Sequence, residues 1–288
     1  MQNNIENVMA AIDYIESHLS EDLNLNIIAG AVHYSKYHLH RMFVKETGLT
    51  IHDYVQRRKL TEAAKLLVFS KKTIMEIALI AGYESRQAFT AIFKEIYKKT
   101  PNQYRKEEEF YPLQLRYVLN KNPMKFDKPV LWRQRITFAT PADIPKWMNL
   151  VHLAVDGFPY LDEEKYVIQL REYIENKRAL ILKDADTAIG IMAFRAETGS
   201  IDFLGVHPQY RKQGIAGAFL GKMLDEFTDA GTRVTVTTFR EGDKADTGCR
   251  RALKKLGFAE AELLVEFGYP TQRFVLQRKD LEGAEYES

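Results

Sequence analysis

Between Ile27 and Tyr104 the apolar positions of the chain fall into two sets that repeat. Ile28 to Tyr54 reads IAGAVHYSKYHLHRMFVKETGLTIHDY, and Ile77 to Tyr104 reads IALIAGYESRQAFTAIFKEIYKKTPNQY. Ser35 aligns with Ser85, Phe43 with Phe93, Thr50 with Thr100 and Tyr54 with Tyr104, always 50 residues apart. Upstream the spacing falls to 49, Tyr34 matching Tyr83, so the second copy has one extra residue in its turn. Each copy predicts a short helix, a tight turn and a second helix. Ile27, Ile28 and Ala31 form the apolar side of one first helix; Ile74, Ile77 and Ala78 form that of the other. Gly82 supplies a permissive turn residue, and Ser35 and Ser85 are placed to cap the helices that follow. In those helices Leu39, Met42 and Phe43, like Phe89, Ile92 and Phe93, recur at the spacing of a buried stripe. Thr50, and Thr100 followed by Pro101, open a further helix in each copy.

The polar faces left over carry the chemistry. The first of the second helices offers Lys36, Tyr37, His40 and Arg41, its counterpart Arg86, Gln87, Thr90 and Lys94. Arginine and lysine reach guanine edges or phosphates, and glutamine matches adenine in a major groove. Between the copies an unbroken helical pattern runs from Thr50 to Phe69, roughly 30 Å long. That is close to one turn of duplex DNA, so both helices would enter successive major grooves of double-stranded DNA from one face. His33, His38 and His40 do not share a helix face, and no metal site is expected from them. The segments YSKYHLHRMFVKETG, Tyr34 to Gly48, and AGYESRQAFTAIFK followed by KTPNQYR resemble the AraC/XylS family of transcriptional regulators over about 100 residues. The resemblance implies base contacts by Tyr37, His40 and Arg41, then by Arg86, Gln87 and Thr90. Ala91 departs from it, because relatives often carry a basic residue there, which implies weaker contacts or other base preferences for the second helix.

From Glu107 to Gln134 the helical pattern breaks into a Glu triplet, Tyr111-Pro112 and KNPMKFDKPV, connecting chain with room for a short strand at Leu113 to Leu119. Strand-like runs follow at Ala179 to Lys183, Ala188 to Arg195, Ile201 to Val206, Arg233 to Phe239 and Phe274 to Gln277. They alternate with helical patterns at Pro141 to Val155, Glu163 to Asn176, Gly214 to Ala230 and Thr247 to Leu256. The expectation is therefore two domains: an all-α double helix-turn-helix domain over 1–108, a linker over 109–132, and an α/β mixed-sheet domain over 133–280.

In GSIDFLGVHPQYRKQGIAGAFLGKML a strand ends at Val206 and a helix begins near Gln213, with Gly214, Ala216 and Gly217 at its mouth. Small residues there let an anion approach the free amides of the helix start, and Arg211 and Lys212 add positive charge. Arg211-Lys212-Gln213-Gly214-Ile215-Ala216, with KKLGF at Lys254 to Phe258, resembles the GNAT superfamily of acyl-CoA-dependent N-acyltransferases. That resemblance implies acetyl-CoA or another acyl-CoA as ligand, held by Leu204, Val206 and the residues from Arg211 to Gly217. It also implies a general base, for which Asp202 is the candidate, its alternative being a surface aspartate on an alternating strand. The tyrosine that often protonates the leaving thiolate falls on Leu253, and an asparagine of the CoA arm on Asp246. Cys249 is expected to pack as a small side chain.

Charge supports the division. Residues 1–106 hold 15 Lys and Arg against 11 Asp and Glu, whereas the remainder holds 26 against 28. A basic front and a slightly acidic back suit a nucleic-acid-binding domain joined to a different partner. One cysteine excludes an intrachain disulfide. No membrane span or secretory start is evident, and a cytoplasmic protein is expected. Two roles for the second domain stand at this point: a sensor of an acyl-CoA or small-amine effector, or a working acetyltransferase acting on an amine substrate.

Overall fold

The computed structural model describes residues 2–124, 129–154, 162–226, 233–266 and 268–277. The chain divides into two compact units, with the change between Pro123 and Met124.

The regular elements described in the first unit are helices: α1 (Gln2–Ser17), α2 (Leu25–Ala31), α3 (Lys36–Thr47), α4 (Ile51–Phe69), α5 (Ile74–Ile80), α6 (Arg86–Tyr97) and α7 (Pro101–Glu107). Side-chain caps start most of them. Asn24, Ser35, Thr50, Thr73, Ser85 and Thr100 each accept from an amide of the following turn, and Thr73 and Thr100 complete capping boxes with Glu76 and Gln103. The duplication is carried by the backbone itself. Tyr34 N–H donates to Ala29 O at 2.9 Å, and its counterpart Tyr83 N–H donates to Ala78 O at 2.9 Å. The left-handed position in the turn is His33 (φ 59°) in the first copy and Gly82 (φ 82°) in the second. After the recognition helices the roles reverse, with Gly48 (φ 79°) matched by Lys98 (φ 60°). Each copy therefore keeps glycine at one of the two positions that favour it and strains an ordinary residue at the other.

Leu39, Met42 and Phe43 are buried as the spacing predicts, as are Phe89 and Phe93, while Ile92 is half-buried. The α2 stripe is a correction. Ile28 and Ala29 face the core, whereas Ile27 is 41 % exposed and Ala31 is also exposed. In a seven-residue helix a neighbour pair is enough to fill the contact. A second correction concerns residues 113–119, which form no strand. They run extended with Leu113, Gln114, Tyr117 and Leu119 buried. Their backbone partners are side chains of α4: Gln114 N–H donates to Thr61 Oγ1 (3.0 Å) and Tyr117 N–H to Tyr54 Oη (3.3 Å). Arg58 of α4 is the polar centre of the unit. It holds Glu16 of α1 through Nε and Nη2, both at 2.8 Å, and donates to Gln114 O at 2.9 Å. Tyr54 Oη donates to the same carboxylate at 2.7 Å. Burial and the adjacent Glu16 charge hold the Tyr54 hydroxyl far above its ordinary pKa, so it stays protonated as a donor.

The second unit comprises α8 (Pro129–Arg135), β1 (Thr137–Phe138), α9 (Ile144–Ala154), α10 (Glu163–Glu175), β2 (Ala179–Asp184), β3 (Thr187–Arg195), β4 (Ser200–Val206), α11 (Ile215–Glu226), β5 (Arg233–Phe239), α12 (Cys249–Lys255), β6 (Ala259–Glu266) and β7 (Tyr269–Gln277). The seven strands form one sheet in the order β1-β2-β3-β4-β5-β7-β6, and β4–β5 is its parallel pairing. Sequence patterning missed β1, which is too short to alternate, and β6, whose residues are mostly exposed. It expected Val155 and residues 227–230 to be helical, and these lie outside the described residues. Trp132, Leu182, Ile189, Met192, Phe219 and Phe274 anchor the core between the sheet and its helices. No helix among the described residues is long and apolar enough to cross a membrane.

Truncating Arg58 leaves a largely covered Glu16 carboxylate without its cation. Arg58→Ala is expected to destabilise the helical unit by about 3–5 kcal/mol. Urea unfolding followed by far-ultraviolet circular dichroism measures this, and a loss below about 1 kcal/mol would contradict it.

Candidate functional site

On α3 the residues Lys36, Tyr37, Arg41 and Lys45 are exposed and His40 is half-buried. Tyr37 is 73 % exposed, and Lys36 Nζ lies 5.2 Å from its ring centroid. A large aromatic ring left this open in a unit with an otherwise filled core is not needed for packing. On α6 Arg86, Gln87, Ala88, Ala91 and Lys94 are exposed and Thr90 is half-buried. Ser35 and Ser85 fix where each helix begins, so Lys36 to Arg41 and Arg86 to Thr90 occupy equivalent first and second turns of the two helices, and Lys94 lies in the third turn of α6. α4 joins them over 19 residues, a rise of about 28 Å. Its C-terminal end is fastened by Arg105 of α7, which donates to Leu67 O (3.1 Å) and Lys72 O (2.6 Å). Lys45 is an exposed cation on the same helix as Arg41 that motif matching did not single out; its helical offset of four from Arg41 was the available signal.

In the second unit the sheet opens beside β4. Its parallel pairing with β5 consists of Ser200–Thr235 and Ile201–Val236. From Asp202 onward β4 continues without that partner, so Leu204 and Val206 lie on a strand whose β5 side is no longer laddered. Asp202 is the bulged residue, because Ala193 pairs with Phe203 and Phe194 with Ile201. At the far end of β4 the loop turns through Lys212 (φ 65°) and Gly214 (φ 80°) into α11. These left-handed residues bring successive backbone amides round toward the helix start, whose first-turn N–H groups have no intrahelical acceptor. Lys212 and Gly214 are exposed, while Gln213, Ala216 and Gly217 are half-buried. Arg211 is steadied by Val206 O (3.4 Å) and by Thr247 Oγ1 (3.3 Å), a partner that sequence spacing does not reveal.

His207 sits at the root of this loop, buried, with its N–H donating to Ile189 O at 2.9 Å. Its Nδ1 accepts from the Gln209 amide at 3.3 Å, which places the ring proton on Nε2. Burial, aided by the positive charge of Arg211, lowers its pKa to about 4. The next aromatic residue, Tyr210, is buried and donates to Asp184 Oδ2 at 2.5 Å.

The acid–base candidates fall as follows. Asp202 is bound by Arg195 Nε (2.7 Å), by Ser200 Oγ (2.8 Å) and by the Tyr173 hydroxyl. Burial and the Asp202 carboxylate raise the Tyr173 pKa. Tyr173 and Arg195 are brought to Asp202 by α10 and β3, and no local motif marks them. Leu253 is buried in the core, so no hydroxyl stands at that position. Asp246 Oδ1 accepts from the Gly248 and Cys249 amides (2.8 and 2.7 Å) and so fastens the start of α12. Cys249 is a correction: it is exposed at the first position of α12 and packs into no core.

The geometry defines a double helix-turn-helix module followed by a mixed-sheet α/β domain. Comparison with known proteins gives the same division. Residues 28–107 match a profile described as a helix-turn-helix domain, and residues 147–258 match the acetyltransferase (GNAT) family. TetD of transposon Tn10 from Escherichia coli is 43 % identical over 95 residues, 33 % of this chain and 69 % of TetD. The multiple antibiotic resistance protein MarA of Escherichia coli is 39 % identical over 98 residues, 34 % of this chain and 77 % of MarA. The uncharacterised helix-turn-helix-type regulator YbfP of Bacillus subtilis is 38 % identical over 112 residues, which span 36 % of this chain and 38 % of YbfP. Among solved structures, an AraC-type regulator from Chromobacterium violaceum is 25 % identical, covering 38 % of this chain and 96 % of that one at a TM-score of 0.35. A GNAT acetyltransferase from Bacillus cereus is 18 % identical, covering 49 % of this chain and 95 % of that one at a TM-score of 0.38. The chain belongs to the AraC/XylS family through its helix-turn-helix module, here fused to a GNAT-superfamily domain.

The depressed His207 pKa makes the second unit acid-sensitive. Above about pH 6.5 the ring is neutral in both folded and unfolded chains and folding is unaffected. Below it the unfolded chain takes up a proton that the folded one refuses until about pH 4. Stability should therefore fall across that window by up to about 3 kcal/mol. Urea unfolding followed by tryptophan fluorescence reports this unit, since both tryptophans, Trp132 and Trp147, lie in it. His207→Gln should flatten the acid-side loss, and an unchanged pH profile in the variant would assign the loss to other groups.

Proposed function

We propose that this protein is a sequence-specific DNA-binding transcriptional regulator whose second unit binds an acyl-CoA or a related effector. The observation that carries the reading is the duplicated, independently capped recognition helix on one chain, with exposed cations on both copies. Arg41 and Arg86 would address base edges, helped by Tyr37, His40, Gln87 and Thr90. Lys36 and Lys94 would neutralise phosphates. Because α4 spans about one duplex turn, a single chain would engage two successive major-groove segments about 10 base pairs apart.

The loop between β4 and α11 fits the diphosphate of an acyl-CoA. Free amides from Lys212 to Gly217 would receive the anion, small residues at 214, 216 and 217 leave it room, and Arg211 and Lys212 supply charge. Leu204 and Val206, on the unladdered side of β4, would offer backbone groups to the pantetheine arm. A bound acyl-CoA would contribute an activated thioester. The residues around it favour sensing over turnover, because the Asp202 oxygens are already taken by Arg195, Ser200 and Tyr173, and Leu253 provides no acid. The alternative, an N-acetyltransferase acting on a primary amine, draws on the position of Asp202 at the bulge where β4 leaves β5. In it Asp202 would be the base, after giving up its Arg195 partner. Calorimetry of the full chain with acetyl-CoA, followed by assay over an amine panel, separates the two. Binding without turnover supports the sensor, and turnover abolished by Asp202→Asn supports the enzyme.

Arg41→Ala and Arg86→Ala should each weaken binding to a preferred duplex by about 1–3 kcal/mol and relax preference locally. Equal losses on preferred and random duplexes, read by fluorescence anisotropy, would reduce both to phosphate contacts.

Gly214→Glu should abolish acetyl-CoA binding, since the new side chain blocks the loop and brings a like charge to the anion. Any change in DNA affinity caused by acetyl-CoA should vanish with it, because coupling needs a ligand that distinguishes two states. Unaltered acetyl-CoA affinity in a folded variant would remove the loop from this reading.

A further inference from the structure

The duplication allows each position of one recognition helix to be set against its counterpart 50 residues on. At 3.6 residues per turn, position 41 in α3 and position 91 in α6 each lie opposite the buried stripe of their helix. That stripe is formed by Leu39, Phe43 and Thr47 in α3 and by Phe89, Phe93 and Tyr97 in α6. Both positions are exposed. The crown of the free face is thus a long cation, Arg41, in one helix and a single methyl group, Ala91, in the other.

The neighbours reinforce the difference. Arg41 stands among exposed Lys36, Tyr37 and Lys45, whereas Ala91 stands among exposed Arg86, Gln87, Ala88, Lys94 and Glu95. We infer that the two helices read their half-sites by different chemistry, guanine under Arg41 and an A·T step under Ala91, an inference that rests on the DNA-binding reading above.

An arginine in the major groove bonds guanine O6 and N7 together, and its length keeps the helix backbone away from the groove floor. A methyl crown works the other way. It lets the backbone approach, and it has nothing to satisfy the polar edge of a G·C pair, which would be left dry and unpaired. The major-groove surface that complements an alanine methyl is the C5 methyl of thymine. Gln87 lies four residues before Ala91, on the same face, and its amide carries the donor and acceptor that match adenine N6 and N7. The formal charge of the exposed neighbours agrees. It is positive throughout on α3, while on α6 the Glu95 carboxylate offsets one of the two cations, Arg86 and Lys94, so the second half-site depends less on counterion release.

The experiment is selection of binding sites by the full chain from a randomised duplex pool, followed by affinity measurements on the selected site. Two half-sites are expected, one with a fixed guanine and the other with a fixed thymine beside adenine. Replacing that thymidine by deoxyuridine removes only the methyl group and should weaken binding about threefold to fivefold. Ala91→Arg should shift the preferred base there from thymine to guanine, and Arg41→Ala should relax the fixed guanine in the other half. Guanine fixed in place of that thymine, or a second half-site indifferent to deoxyuridine, overturns the inference while DNA binding itself stands. Recovery of no preferred sequence overturns the DNA-binding reading, and the inference falls with it.

Discussion

One buried guanidinium holds the helical unit in register. Arg58 spends both ends of its planar fork on Glu16 and a third donor on the carbonyl of Gln114, so α1, α4 and the extended stretch after α7 meet at one side chain. Such a pair is costly to desolvate and is tolerated only because its hydrogen bonds are nearly complete, with Tyr54 taking up a further position on the Glu16 carboxylate. The consequence is directional. Apolar packing would let α4 slide along α1 by small amounts, whereas a bidentate pair does not. Since α4 lies between α3 and α6 in the chain, the separation of those two helices is tied to that contact.

The second unit solves a different problem, which is how to keep a sheet intact across a place where two of its strands part. Antiparallel pairings hold β1 to β4 on one side and β5, β7 and β6 on the other, and two residue pairs join the halves. The opening that follows is bounded by a bulge at Asp202 and by a loop that turns through two left-handed residues, Lys212 and Gly214. A neutral, buried His207 beneath Arg211 suits that arrangement. A charged imidazole there would lie beside another cation in poorly hydrated surroundings, and burial excludes it.

The two units also differ in how much individual residues reveal. Repeated serines and threonines at helix starts are local signals, because a cap is made within three residues of chain. Gly48 and Gly82 mark left-handed turns, but their partners Lys98 and His33 adopt the same conformation without a compositional sign. The Asp202 network is still less visible, since Tyr173 and Arg195 reach it from separate elements.

The sequence by itself determined the duplication, its capped helices, the bridging helix, the change to an α/β pattern and the glycine-containing loop before α11. All of these are written at short range, in periodicities of 3.6 or 2 and in residues that act within a turn of themselves. Only the tertiary structure decided that residues 113–119 lie along α4 rather than forming a strand, that β7 inserts between β5 and β6, and that α2 buries Ala29 beside Ile28 and leaves Ile27 and Ala31 exposed. It likewise decided that Asp246 fastens α12 and that Cys249 is exposed. Each of these outcomes depends on which distant surface happens to face the residue, and spacing along the chain carries no record of that.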